Sequence, residues 1–278
     1  MSCRSLSFMF SLLVACVSCD SQSLIKRTVV LEVEKLQKSE TVTPIPTLIR
    51  RSFNLSLFYK KYLSANGLPI VSSEKVADEA FFVARDIVIK MVEKEPQVLK
   101  NLISQKIRLA IMARTEVTTD IPEHSDLFQA FPGTDWNKRA RGLGPTLARP
   151  ACSVSEENLL GYNGDPYRGE SILIHEFSHA IHQIGINLES FNLKLTETYQ
   201  HAIKSGLWQN TYAVTNASEY WAEGVQSWFD ANLESRPADG IHNEINTRNK
   251  LKKYDPKLAK LMLEWFVDDD WRFKYPKL

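Results

Sequence analysis

Residues 171–185 read SILIHEFSHAIHQIG, which sets two histidines and a glutamate into an otherwise apolar run. On an α-helix, residues four apart share a face and lie about 6 Å apart along the axis. At about 100° per residue, His175, Glu176 and His179 fall within one arc, while Leu173, Phe177, Ala180 and Ile184 gather on the opposite side. Placing two imidazoles and a carboxylate on a buried helix costs free energy unless partners meet them. The fold therefore has to give this helix a core on one side and a polar cleft on the other. Gly185 stands where a helix C-cap is expected.

At the H-E-x-x-H spacing two imidazoles can hold one zinc ion. Glu176, beside the first histidine, then points toward the open coordination position, where it can accept a proton from an activated water. The competing reading, two histidines merely solvated or hydrogen-bonded, fits poorly with Ile172, Leu173 and Ile174 beside them. A tetrahedral site needs a third protein ligand. His182 lies about 10 Å along the helix from His175, too far for one ion to reach both, and is read as a supporting or surface residue. The longer metzincin pattern is excluded, because the chain has His182 and Gly185 where that pattern has a glycine and a histidine.

A better candidate lies in TYAVTNASEYWAEGVQSWFD, where Glu219 and Glu223 are spaced i, i+4 on a predicted helix. One carboxylate can bind zinc while the other accepts the free N–H of a ligating histidine. Two readings without metal stand beside this one. Asn216 with Glu219 fits a capping box, and Glu219, Glu223, Gln226 and Asp230 fit a solvated stripe. The upstream motif favours Glu219 as ligand, with Glu223 in support.

Together these segments resemble a known family. HEFSHAIH with TYAVTNASEYWAEG is similar to the zinc site of the catalytic domain of anthrax lethal factor and its bacterial relatives, a gluzincin arrangement in which a Glu on a later helix follows H-E-x-x-H. In that family the later helix carries an E-F/Y-F/W-A-E run, and a Tyr seven residues before the ligating Glu assists catalysis. Tyr212 stands seven residues before Glu219, so the resemblance implies Glu219 as ligand and Tyr212 as oxyanion donor. It covers residues 170 to 230; the N-terminal half and residues 114–169 show no match. What it implies is a zinc metallopeptidase acting on a peptide or protein, with one Zn2+ per chain held by His175, His179 and Glu219. Glu176 would take a proton from the water and deliver it to the leaving amine, and Tyr212 would stabilise the tetrahedral oxyanion.

The remaining chain bounds this picture. Its 278 residues carry 34 basic and 33 acidic side chains, a formal net charge of +1 that offers no electrostatic footprint for nucleic acid. A 44% hydrophobic, 24% charged composition excludes wholesale disorder. Residues 5–15, SLSFMFSLLVA behind Arg4, have the form of a secretory signal and are shorter than the about 20 residues needed to span a bilayer. A signal peptide is expected over residues 1–19. Leu13-Val14-Ala15-Cys16 resembles a bacterial lipobox, and an ordinary cleavage near Ser18 or Cys19 is the alternative. The expected location is extracytoplasmic, secreted or lipid-anchored at the cell surface, with any membrane contact made through that anchor. Of Cys3, Cys16, Cys19 and Cys152, three lie in or beside the signal, so the mature chain is not a disulfide scaffold.

Residues 20–44, ending in TVTPIPT, read as a tether, with a short helix around Val29–Leu36. The expected fold class over residues 45–278 is α+β, mainly helical, a zincin-like catalytic domain with a small sheet. Its part over 45–115 reads as helical: Ala77, Phe81, Ala84, Val88 and Met91 recur at helical steps from about Ser72, and a second helix runs through Val98 to Ile103. KIRLAIMA then alternates as a strand and is the candidate cleft-bordering strand that pairs with extended substrate. Residues 114–169 lack a sustained period and read as functional loops, with Arg141, Arg149, Tyr162 and Tyr167 as candidate rim residues. Helices are expected around 171–184, 190–205, 217–232 and 256–267. The sequons at Asn54 and Asn216 are read as coincidental. Two rival functions remain: a zinc hydrolase of a non-peptide amide such as a glycan or cell-wall amide, and a non-catalytic surface-binding protein that uses the aromatic-rich segments 208–228 and 265–275.

Overall fold

Among the described residues, 40–276 of the computed structural model, six strands form one mixed sheet in the order β1-β2-β3-β4-β6-β5. They are β1 (Thr43–Pro44), β2 (Lys61–Ala65), β3 (Leu68–Ser72), β4 (Arg108–Met112), β5 (Gly142–Leu143) and β6 (Ala151–Ser155). The expected signal, the helix around Val29–Leu36 and Cys3, Cys16 and Cys19 lie outside the described residues. Strands β3, β4 and β6 run parallel; the β1–β2, β2–β3 and β5–β6 pairs are antiparallel. Thr43 and Pro44 pair with Tyr62 and Lys61, so the sheet takes in the end of the segment expected as a tether.

The region over 45–115 contains three of these strands and is not simply helical. Asn66 and Gly67 join β2 to β3 with φ of 49° and 101°, the two positive values that a type I′ hairpin turn demands. KIRLAIMA does form a strand, β4, but alternation misses β2 and β3 because the sheet is covered on both faces. Leu109 and Ile111 of β4 enter the main core, while Ala110 and Met112 enter a second cluster with Phe53, Tyr59, Tyr62 and Ile121. Arg108 is 4% exposed. Its guanidinium donates to Phe53 O at 2.7 Å and Lys106 O at 2.9 Å, and pairs with Glu123 at 3.2 Å.

Eleven α-helices pack around this sheet among the described residues. In order they are α1 (Thr47–Ser52), α2 (Asp78–Val92), α3 (Pro96–Ser104), α4 (Leu127–Ala130), α5 (Trp136–Arg139), α6 (Glu156–Leu160), α7 (Ile172–Ala180), α8 (Glu189–Lys204), α9 (Ala217–Trp228), α10 (Arg248–Tyr254) and α11 (Pro256–Trp265). The fold class is α+β, mainly helical with a small sheet. In α2, Asp78 and Glu79 occupy the first turn, where negative charge favours a helix start, and Ala80, Phe81, Ala84, Val88 and Met91 are buried at helical spacing. Pro96 opens α3, where its missing N–H is no loss.

Residues 114–169 are more ordered than their lack of period suggests, since β5, β6, α4, α5 and α6 all lie there. The aromatic-rich stretch 208–228 is core rather than surface: Trp208, Tyr220, Trp221 and Trp228 are each at most 2% exposed. Asp255 binds two of them, accepting from Trp208 Nε1 at 3.0 Å and Tyr220 Oη at 2.6 Å. That burial removes the feature which favoured a glycan- or peptide-binding surface there. No helix among the described residues is long and apolar enough to cross a membrane.

Candidate metal centre

Helix α7 starts because Ser171 caps it, its hydroxyl accepting from Ile174 N at 3.4 Å. Leu173, Ile174, Phe177 and Ala180 are buried in the core. The helix passes at Ile181–Ile186 into a π-helical turn that ends at Asn187, with φ of 41°. Gly185 is therefore not the C-cap. It is a point of close approach instead, since a Cβ there would lie 2.5 Å from Val98 Cγ1 of α3. His182 turns away from the cleft, bonding Asn192 Oδ1 at 2.9 Å and packing its ring against Phe191 and Trp221.

Helix α9 crosses behind α7. Asn216 caps it, accepting from Ser218 N at 2.9 Å and Glu219 N at 3.0 Å. Gly224 lets α9 settle on α11, where an added Cβ would meet Leu258 Cδ2 at 2.6 Å. Trp221 Nε1 ties the two crossing helices together by donating to Ser178 O at 3.1 Å. In this arrangement the Glu219 carboxylate reaches the α7 histidines instead of returning to its own cap.

His175 Nε2, His179 Nε2 and Glu219 Oε2 form a triangle with sides of 3.1, 3.3 and 3.4 Å. A tetrahedral zinc ion with bonds of about 2.0–2.1 Å has ligand–ligand edges of about 3.3–3.4 Å. The spacing and the two-nitrogen, one-oxygen donor set both fit such an ion. Burial, the largest influence on His175, works against its charge. The hydrogen bond to Glu219 and the carboxylates of Glu176, Glu223 and Glu219 outweigh it, raising the ring to about 10. Glu219 is pushed up by burial but carried far below the usual carboxylate range by the two rings. The field at this point favours positive charge, which is what a divalent cation requires.

The outer nitrogens are also engaged. His175 Nδ1 lies 2.8 Å from Gln226 Oε1 and 3.6 Å from Glu223 Oε1. His179 Nδ1 lies 3.0 Å from Ser218 Oγ, which also accepts from Gln183 at 3.0 Å. Glu223 is 4% exposed and takes Asn232 Nδ2 at 2.9 Å; burial raises its carboxyl, and His175 offsets part of that. Gln226, seven residues beyond Glu219, is the nearer acceptor for His175. Its place on the same face of α9 as Glu219 and Glu223 was the available signal, because a polar stripe on a helix bearing Tyr220, Trp221 and Trp228 has a core on its other sides.

His175, His179, Gln183, Ser218, Glu219, Glu223 and Glu170 line a cleft of about 590 Å³, along with Glu176, Tyr212, Tyr167 and residues Arg139–Thr146. Tyr212 sits in a short 3₁₀ turn, its ring centroid 6.4 Å from that of His175. Burial first, and then Glu219, raise its phenol, so it keeps its proton and can donate. Arg139, absent from the sequence-based candidates, also faces Tyr212 and works against that rise.

Of the expected rim residues, Arg141 and Tyr167 line the cleft. Arg141 spends its guanidinium on Glu157 at 2.6–2.7 Å and on Glu116 O. Tyr167 donates to Arg139 O at 3.1 Å. Arg149 pairs with Asp126 at 2.7–2.8 Å and Tyr162 packs under Arg114, both away from the cleft lining.

The strand at the cleft is not KIRLAIMA. Strand β4 is paired on both sides, by β3 and β6, and has no edge to offer. Strand β5 is the last in the sheet and lines the cleft. Two glycines let it come this close: a Cβ on Gly142 would lie 2.5 Å from Ile172 Cγ2, and one on Gly144 would lie 3.1 Å from His179 Cβ.

No protein-family profile matches the chain, and none of the curated proteins compared is similar to it. Among solved structures it is similar to the Pro-Pro endopeptidase PPEP-2 from Paenibacillus alvei, at 16% identity and a TM-score of 0.49, covering 71% of this chain and 97% of that chain.

Proposed function

We propose that this protein is an exported zinc metallopeptidase of gluzincin type. The observation that carries the reading is the convergence of His175 Nε2, His179 Nε2 and Glu219 Oε2 at zinc-ligand spacing, 3.1–3.4 Å apart, beside a solvent-reachable cleft. Export rests on the signal-like residues 5–15.

A zinc ion held by these three residues would supply Lewis-acid activation of a water and of the scissile carbonyl. The chain's own groups do the rest. Glu176, on the cleft side of α7, takes the proton of the attacking water on its carboxylate and hands it to the leaving nitrogen. The Tyr212 hydroxyl, still protonated, donates to the oxyanion that develops on the carbonyl. The free edge of β5, which Gly142 and Gly144 let lie close against α7, is the strand along which the substrate backbone extends.

The test is elemental analysis of the purified protein beside a Glu219→Ala variant, followed by a peptide-library digest with Glu176→Gln as control. About one zinc per chain, lost or strongly weakened in Glu219→Ala, with cleavage absent in Glu176→Gln, is the expected result. A native protein that takes up no zinc would overturn the reading. Zinc binding without peptide cleavage would overturn the peptidase half of it.

A further inference from the structure

Behind His175 lies a run of buried polar groups that the proposed reaction does not use. Gln226 is 0% exposed, Glu170 8% and His242 7%. Gln226 Oε1 meets His175 Nδ1 at 2.8 Å. The other end of the same amide, Nε2, lies 3.2 Å from Glu170 Oε2 and 3.3 Å from Ser171 O. Glu170 Oε2 in turn lies 3.3 Å from His242 Nε2.

This order of partners admits one orientation of the amide. A carboxylate and a backbone carbonyl both only accept, so the Gln226 end facing them has to be the NH2. Turned over, the amide would set its oxygen against two acceptors and its NH2 against His175. Glu170 thus fixes Gln226, and Gln226 fixes the ring: Nδ1 carries hydrogen toward Gln226, which leaves Nε2, on the side of His179 and Glu219, as the nitrogen that would give up its proton to a metal. Glu223 is the alternative acceptor, but it stands farther off at 3.6 Å and is engaged by Asn232.

Resting on the zinc-site reading above, we propose that Glu170 is a positioning residue for the metal centre, acting through Gln226 to hold His175 as an Nε2 ligand. The same cluster reaches the opposite wall of the cleft. His242 follows Ile241, whose carbonyl accepts from Tyr212 N at 2.8 Å, so the segment that bonds Glu170 also seats Tyr212.

The experiment compares zinc affinity, by competition with a chromogenic chelator, in the native protein, in Glu170→Gln and in the double exchange Glu170→Gln with Gln226→Glu. Glu170→Gln keeps the shape but lets the Gln226 amide turn, and zinc binding should weaken by about 10–100-fold. In the double exchange, the carboxylate at position 226 accepts from His175 whichever way it turns. The NH2 at position 170, standing where Oε2 faced both neighbours, donates one hydrogen to that carboxylate and the other to His242 Nε2 as acceptor, so affinity should return to within a few-fold of native.

A purely structural role predicts the reverse for the pair, because the exchange moves a charge to a fully buried position. Thermal melts of all three proteins show whether each is folded. Unchanged affinity in Glu170→Gln, or a double exchange that binds zinc more weakly than the single, would overturn the proposal while leaving the zinc site standing. A native protein without zinc would overturn both.

Discussion

The two histidines of α7 are held in different ways. The outer nitrogen of His175 faces a largely buried series of side chains, Gln226, Glu170 and His242, with Glu223 alongside; Glu170 and Glu223 also reach the cleft lining. The outer nitrogen of His179 faces Ser218 and Gln183, near solvent. One ring is oriented by groups that are themselves fixed by further buried partners, the other by a hydroxyl that water can replace. The proposed metal centre would thus have a rigid wall and a compliant wall, and Glu176 and Tyr212, to which the proposal gives the proton transfer and the oxyanion contact, line the cleft in front of both. Residues of the rigid wall should govern how tightly the ion is kept. Residues of the cleft should govern turnover.

The largest effect expected on that division is from Glu176→Gln. Loss of the proton acceptor should lower kcat by about 10²–10⁴-fold with zinc content unchanged, measured by steady-state peptide cleavage and elemental analysis of one sample. A parallel loss of zinc would break the separation between cleft and wall. Tyr212→Phe comes next, at about 10²–10³-fold in kcat with KM little altered, because it removes one donor to the developing oxyanion. An equal fall in zinc affinity would place Tyr212 in the wall instead.

A sharper contrast comes from stability with chelator present. His175→Ala strands Gln226 Oε1 in a buried site and should cost about 1–3 kcal/mol, whereas His179→Ala frees a hydroxyl that water can satisfy and should cost about 1 kcal/mol or less. Urea unfolding of the two variants measures the difference, and equal losses would remove the distinction between the walls. The smallest effect is expected for Ser218→Ala, a few-fold loss in zinc affinity against the about 10–100-fold expected from the rigid side. A loss as large as that of Glu170→Gln would show the compliant wall to be rigid.

A further prediction concerns acid. His124 is 1% exposed, and burial, the largest influence on it, holds its ring down to about 4. In the unfolded chain the ring returns to about 6.5. The unfolded state therefore binds the extra proton between these values, and stability should fall as pH drops from about 6.5 to about 4. Urea midpoints across that range should flatten in His124→Gln; an unchanged slope would assign the acid loss elsewhere.

What was legible in the sequence followed from helical period and capping chemistry. Helices α7, α8, α9 and α11 begin and end within a few residues of their expected bounds; Ser171, Asn216 and Pro256 mark the starts of α7, α9 and α11, while α8 follows from its apolar period alone. The strands were harder, for a physical reason. Strands β2, β3 and β6 read KYLSA, LPIVS and ACSVS, and burial on both sheet faces erases the alternation that marks a one-sided strand. The Asn66–Gly67 pair was a usable hairpin signal.

At the site, His175 and His179 were readable from helical spacing, Glu219 was favoured over a capping or solvated role because of that upstream motif, and Tyr212 came only from the resemblance to the lethal factor family. Glu170 and His242 were not, because the fold brings them to Gln226 from two separate loops. Arg141 shows the opposite hazard: a cation in a Gly-rich loop looks like a substrate contact, yet Glu157 and two backbone carbonyls occupy it.

The brevity of β5 has a consequence beyond the reaction. An unpaired sheet edge invites pairing between copies of a chain, and natural proteins blunt such edges with short strands and prolines. Here the edge strand is two residues long, and Pro145 follows Gly144 with no N–H to donate. So short an edge offers at most a brief stretch of pairing to any extended chain, which disfavours sheet extension between copies.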